Sequence, residues 1–261
     1  TTGDTGSNPA VNFLGNTATT SYELAGALTL STGHNTVTVT PGTGGATTMT
    51  FASLSRTAGA SVLFRGTSLG SAPAPNVSTL MFTSAPTVIG ASGAAGTTTA
   101  SVIKGAFGDS SLSGSGTDMV VYNLGNTNGL RLLNGAGFSG EYATTLATNA
   151  NVKLSGNVAA STSSINSLIL NGYDITNASA TITMASASLA GNILINSANT
   201  IAGASTTLGI TTFELNILAT ANSTISAVIG TAVAGSLTLS GTGNVTISSA
   251  NPFTGLTSIN D

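Results

Sequence analysis

The chain contains no cysteine and no tryptophan. Without thiols it forms no disulfide, no thiolate metal site and no cysteine nucleophile. Charge is almost as scarce. Charged residues make up 5% of the 261 positions, against roughly 25% in an ordinary soluble domain. The five bases, Arg56, Arg65, Lys104, Arg131 and Lys153, are scattered along the chain. Neutralising a phosphate backbone takes clustered Lys and Arg, so nucleic acid is excluded as a partner. The same scatter excludes an electrostatic hold on anionic lipid. No apolar run reaches the ~18 residues of a membrane helix, and this segment is not expected to insert in a membrane. The opening TTGDTGSNPA does not read as a signal peptide, so the chain is expected to be mature or cut from something larger.

Good helix formers are rare as well: Glu, Lys, Gln and Arg are few, while Gly and Thr recur every few residues. What remains is a chain that is 41% hydrophobic, enough to bury a core, with Ser, Thr, Gly, Ala and Asn as most of the rest. Short β-branched or alternating apolar runs recur along it: 35–40, 48–54, 60–66, 78–84, 118–125, 128–135, 151–158, 164–172, 180–186, 190–197, 211–218 and 223–230. Three more pieces follow within 235–261. Gly, Asn, Ser or Asp sits between most of them, as turns require.

Many short strands suit a sandwich, a barrel or a solenoid. Aromatics are only 5% of the chain, whereas a sandwich core leans on larger side chains. The same small polar alphabet runs from end to end, and Thr, Ser and Asn alternate with Val, Ile and Leu. That alternation suits coils stacked with aliphatic residues inside and small polar residues outside. The expected fold is therefore all-β, a right-handed single-stranded parallel β-helix (β-solenoid), with an antiparallel sandwich as the alternative. It is expected to be continuous over 1–261, with a wide loop near 104–123.

The stretch 235–261 resembles the autotransporter-associated β-strand repeat, a unit of long bacterial surface proteins. The pattern is carried by Leu237, Thr238 and Leu239, then Gly241, Thr242 and Gly243, then Val245, Thr246 and Ile247. Ala250 and Asn251 make a corner, and Phe253, Thr254, Gly255, Thr257, Ser258 and Ile259 complete it. Ser240 stands where the repeat usually has Lys, and Phe253 where it usually has Tyr. The resemblance implies a right-handed parallel β-helix in an exported, autotransporter-like passenger domain. It brings no catalytic residue with it, and implies scaffold, stalk or adhesive surface. Leu237, Leu239, Val245, Ile247 and Ile259 are the expected inward residues. The pattern stops in mid-stride, which suggests either an open end that another molecule covers or a chain cut from a longer one.

Sites of chemistry are sparse. His34, the single histidine, lies in STGHNT and reads as a surface-turn residue. Hydrolases of polysaccharides need paired carboxylates, but Asp4, Glu23, Asp109, Asp118, Glu141, Asp174 and Glu214 are far apart in sequence. Asp109 and Asp118, the closest pair, lie in a Ser/Gly-rich stretch and read as turn formers rather than cation ligands. Arg65 and Arg131 interrupt apolar strands and read as outward-facing strand residues. The Gly-rich stretches lack the Lys-Ser/Thr ending of a phosphate loop, and Asn76, Asn177, Asn222 and Asn244 sit in Asn-x-Ser/Thr sequons. No residue is assigned as catalytic, metal-binding or cofactor-binding, and the chain is not expected to be an enzyme.

The expected function is a structural or adhesive surface module, forming part of a rod or filament in an extracellular bacterial protein. Its expected partners are neighbouring copies of itself, end to end or side by side, together with surface glycans. The alternative is a carbohydrate-binding or carbohydrate-active β-helix, for which Tyr22, Tyr122, Tyr142 and Tyr173 would supply an aromatic stripe.

Overall fold

The computed structural model describes residues 9–122, 128–184, 190–203, 205–209, 214–230 and 235–260. Among these there is no helix; the fold is all-β, with mostly parallel strands in stacked sheets. It is compatible with the expected solenoid. The carboxylates Asp4 and Asp261, and parts of the strands expected at 118–125, 180–186 and 211–218, lie outside the described residues.

The strands form two stacks. In the first, the chain visits three sheets in turn and then repeats. One sheet holds Ala10–Leu14, His34–Thr40, Ser61–Gly66 and Ala106–Asp109, all parallel. The next holds Ser21–Ala25, Thr47–Phe51 and Ser78–Phe82, and the third Leu28–Leu30 and Leu54–Arg56. The second stack repeats the plan. Its broadest sheet runs through Asn151–Lys153, Ser167–Leu170, Ala190–Ile195, Glu214–Ala219, Ser236–Ser240 and Thr257–Asn260. Two narrower parallel sheets of five and four strands complete each turn.

Alternation along the strand sorts side chains between inside and outside. Register then lines up like with like across turns. In the second stack Val152, Leu168, Ile193, Ile217, Leu239 and Ile259 form one inward column. In the first stack Val11, Val37 and Phe64 form another, and Phe64 is fully buried beside Phe82. Phe82 in turn stacks on Phe51 and meets the edge of the Tyr122 ring.

Two regions depart from an all-parallel coil. Val88–Ile89 pairs antiparallel with Val102–Ile103. Ala106–Asp109, Asp118–Tyr122 and Leu130–Leu132 form an antiparallel meander that finishes the first stack. The stretch 104–123 thus carries two strands, and the loop between them is 110–117. Asp109 ties that loop by accepting from the backbone N–H groups of Ser111 and Gly116.

The two stacks lie side by side and run in opposite directions. Ser61 of the third turn in the first stack contacts Ser240, late in the second. Further along, Ile103 and Gly105 meet Asn192, and Ala100 meets Asn151, at the start of the second stack. The first and last strands therefore come to the same end of the molecule. The broad sheets face each other across this seam. Leu63, Phe107, Met119 and Val121 of one pack against Ile169, Leu194 and Leu218 of the other in a separate apolar cluster. That is why Ser61–Gly66, Ser167–Leu170 and Ala190–Ile195 are buried on both faces.

Candidate functional site: the seam and the open end

The polar residues of the seam follow from the same register. Outward positions on the second stack place Asn151, Ser167, Asn192, Asn216 and Thr238 in one column, and all five are buried. Buried amides need partners: Asn151 and Asn192 find theirs across the seam, while Asn216 donates to the Gly191 carbonyl of its own stack at 3.4 Å. Asn151 donates to the Ala100 carbonyl at 2.7 Å. Asn192 donates to Ile103 at 3.0 Å and accepts from the Gly105 N–H at 3.1 Å.

Two ion pairs sit in this interior. Arg56 clasps Glu214 through both guanidinium nitrogens. The same carboxylate accepts from the Gly59 N–H at 2.9 Å and the Thr238 hydroxyl at 2.7 Å. Arg56 and Glu214 side chains are 6% and 4% exposed. Burial works to raise the Glu214 pKa, but the hydrogen bonds and charge of Arg56 outweigh it and hold the carboxyl below its ordinary value. Gly105 is required beside this pair: its φ is +64°, and a Cβ there would lie 2.6 Å from Arg56 Nε.

Arg131 was expected to face outward, yet it is buried and donates twice to Glu141, at 2.7 and 2.6 Å. Its strand is covered by the chain that follows: Phe138 stacks on the guanidinium with 4.0 Å to the ring centroid. Glu141 also accepts from the N–H groups of Gly96 and Asn134. A guanidinium in a covered site needs such a fork of acceptors.

His34 is likewise not a surface-turn residue. It opens strand His34–Thr40, is 7% exposed and has Nδ1 2.8 Å from Ser61 Oγ. The sheet extends one residue further back than the turn signal suggests, and the second stack covers the position. Burial, with Arg65 nearby, lowers its pKa from 6.5 to about 4. A His–Ser contact is the geometry of an activated nucleophile. Here, however, the Ser61 hydroxyl is 2.7 Å from Ser240 Oγ, and Ser61 is 1% exposed, so no substrate carbon reaches it in this arrangement.

Asp118 accepts from the Tyr142 hydroxyl and from its own Met119 N–H. Burial raises its pKa from 3.8 to about 6, against the opposing pull of Tyr142 and of the Lys153 charge. Lys153 Nζ lies 5.7 Å from the Tyr142 ring centroid. Burial and the Asp118 charge push the Tyr142 phenol well above its ordinary value.

The tyrosines do not line up as a stripe. Tyr142 is engaged in the seam, and Tyr122 both accepts from the Phe82 N–H and donates to its carbonyl. Only Tyr22 and Tyr173 are exposed, on separate stacks. Among the described residues, no three His, Asp or Glu side chains gather in metal-binding reach.

A second feature is the end that carries the first and last described strands. Leu14, Tyr22 and Leu24 of the first turn and Leu256 and Ile259 of the last are exposed large apolar side chains. Ile259 was expected to be inward. It does continue the aliphatic column below Leu239, but it is 76% exposed, because Thr257–Asn260 is the edge strand of its sheet. Leu237 is buried, and Leu239, Val245 and Ile247 pack on the core. An open depression of about 700 Å³, lined by Leu239, Val245 and Ile259 among others, marks this end. Glu23 occupies the position in register with Met49 and Leu80 of the core, so an exposed carboxylate caps an inward column.

No protein-family model, no curated protein and no solved structure matches this chain.

Proposed function

We propose that the chain is a non-catalytic structural or adhesive module, built as a right-handed β-solenoid and working in an extracellular bacterial surface protein. Parallel strand–crossover–strand connections are right-handed in nearly all cases, which supports the handedness. The resemblance of 235–261 to the autotransporter-associated repeat supports the setting.

The observation that carries this reading is the open end. Among the described residues the strands Ala10–Leu14, Ser21–Ala25 and Thr257–Asn260 are sheet edges, and a sheet edge with apolar side chains is a template for pairing with another chain. Low charge leaves little repulsion to oppose contact. The partner on this reading is a neighbouring copy, meeting end to end or side by side. Glu23 acts against unrestrained stacking, because a further rung laid on it would bury its carboxylate.

Sedimentation velocity over a concentration series tests this. The chain is expected to self-associate, and Ile259→Asp to return it to monomer with an unchanged circular dichroism spectrum. Glu23→Gln is expected to strengthen association. A chain that stays monomeric at every concentration, and that electron microscopy shows as isolated compact particles, overturns the proposal.

A further inference from the structure

The seam opens at one side into a cleft of about 310 Å³, floored by Leu63 and Leu218 and walled by residues of both stacks. Arg65 and His34 line it, with Asn12, Thr36, Thr220 and Thr242. Arg65 is the feature that needs explaining. Arg56 and Arg131 each have a carboxylate partner, whereas among the described residues no carboxylate lies within ion-pair distance of Arg65. The nearest in register is Asp109 on the adjoining strand, and both of its oxygens are used by the 110–117 loop. The Arg65 Nε is buried and has no hydrogen-bond partner. A guanidinium does not shed its charge, and leaving it partly desolvated without an acceptor is costly.

We propose that this cleft binds a carboxylate-bearing ligand, with Arg65 as the anion partner and the side chains of Asn12, Thr36, Thr220 and Thr242 as its hydrogen-bonding rim. Charge selects the ligand class. The guanidinium fork matches a planar carboxylate in two parallel bonds. His34 is neutral at pH 7, so the wall presents one cation, which balances a monoanion but not a phosphate dianion. The hydroxyl and amide rim suits the neutral polar groups next to such a carboxylate, as in an acidic sugar or the end of a peptide. The volume is that of a small-molecule site. The cleft shares Gly241 and Thr242 with the depression at the open end, but Arg65 and His34 line the cleft and not that depression.

His34 is the single histidine, so isotope-labelled histidine gives one imidazole signal, placed in the cleft wall. Titration with glucuronate or with acetate at neutral pH is expected to shift that signal saturably, and glucose to leave it unmoved. Inorganic phosphate is expected to bind more weakly than either carboxylate. Arg65→Gln is expected to weaken glucuronate binding by about tenfold or more, with the imidazole signal of the free protein preserved. Arg65→Lys is expected to keep part of the affinity. If Arg65→Gln fails to fold, Thr220→Val, on the opposite wall, is expected to weaken glucuronate. Equal shifts with glucose, tighter binding of phosphate, undiminished binding by Arg65→Gln, or no saturable shift at all overturns the proposal.

Discussion

Replacing Glu214 with alanine is expected to destabilise the protein by about 3–5 kcal/mol, the cost of leaving one partner of a buried pair alone. In a chain of this size that lowers Tm by roughly 10 °C. Glu214 is 4% exposed and joins four donors from three places in the chain: Arg56, the Gly59 N–H and Thr238. Its removal leaves a guanidinium and a backbone N–H without acceptors at the seam. The double variant Arg56→Met, Glu214→Leu is expected to be more stable than Glu214→Ala, because both charges are then gone. Denaturant unfolding of the three chains measures the difference. A loss below about 0.5 kcal/mol, the scale of a surface substitution, would mean that water reaches the pair. Glu141→Ala is expected to act on the same scale, because Arg131 would lose both of its charged acceptors.

Between pH 4 and 6 the stability of the parent chain is expected to be nearly flat, through two large opposing terms. His34 takes a proton near 6.5 when unfolded and near 4 when folded. The unfolded chain therefore holds more protons in that window, and stability rises with pH across it. Asp118 behaves oppositely. It ionises near 3.8 when unfolded and near 6 when folded, so the folded chain holds more protons and stability falls as pH rises. Each shift amounts to about 3 kcal/mol. His34→Asn, which keeps a polar group near Ser61, is expected to leave the Asp118 slope: stability falling by about 3 kcal/mol from pH 4 to 6. Asp118→Asn is expected to leave the His34 slope, rising by a similar amount up to pH 6.5. Unfolding curves at several pH values decide it, and two variants with parallel profiles would refute the assignment. Glu141 and Glu214 add an acid limb common to all three chains. Their folded pKa values lie below the ordinary one, so their contribution is lost as pH falls through those values.

Much of the strand content was legible because β-branched residues alternate with small polar ones. The runs at 35–40, 60–66 and 190–197 correspond to His34–Thr40, Ser61–Gly66 and Ala190–Ile195. Ala10–Leu14 and Ser21–Ala25 were not, since AVNFL and SYELA mix Ala, Leu, Asn and Glu that carry weak β preference. Their pairing is supplied from 26 residues away, as in Ala10↔Thr36. The seam left one readable trace. Segments such as SVLFRG, SLIL and AGNILI are apolar at both odd and even positions, the pattern of a strand buried on both faces. What the second face would meet was not readable, because a local pattern carries no record of contacts such as Arg56 with Glu214, 158 positions apart. The scarcity of charge was itself a signal. In a chain with so few ions, an arginine inside an apolar strand is as apt to be clasped as solvated, and Arg131 is clasped.

The opposed running of the two stacks has a consequence for growth. A straight solenoid is bifunctional: it offers a top and a bottom, and copies add to either without limit. Here the first and last described strands share one end, and at the other the 133–149 chain packs on the second stack through Leu146 and Ala147. On the proposed reading, contact between two such ends would pair them two-fold, and extension beyond two copies would depend on the flanks of the stacks.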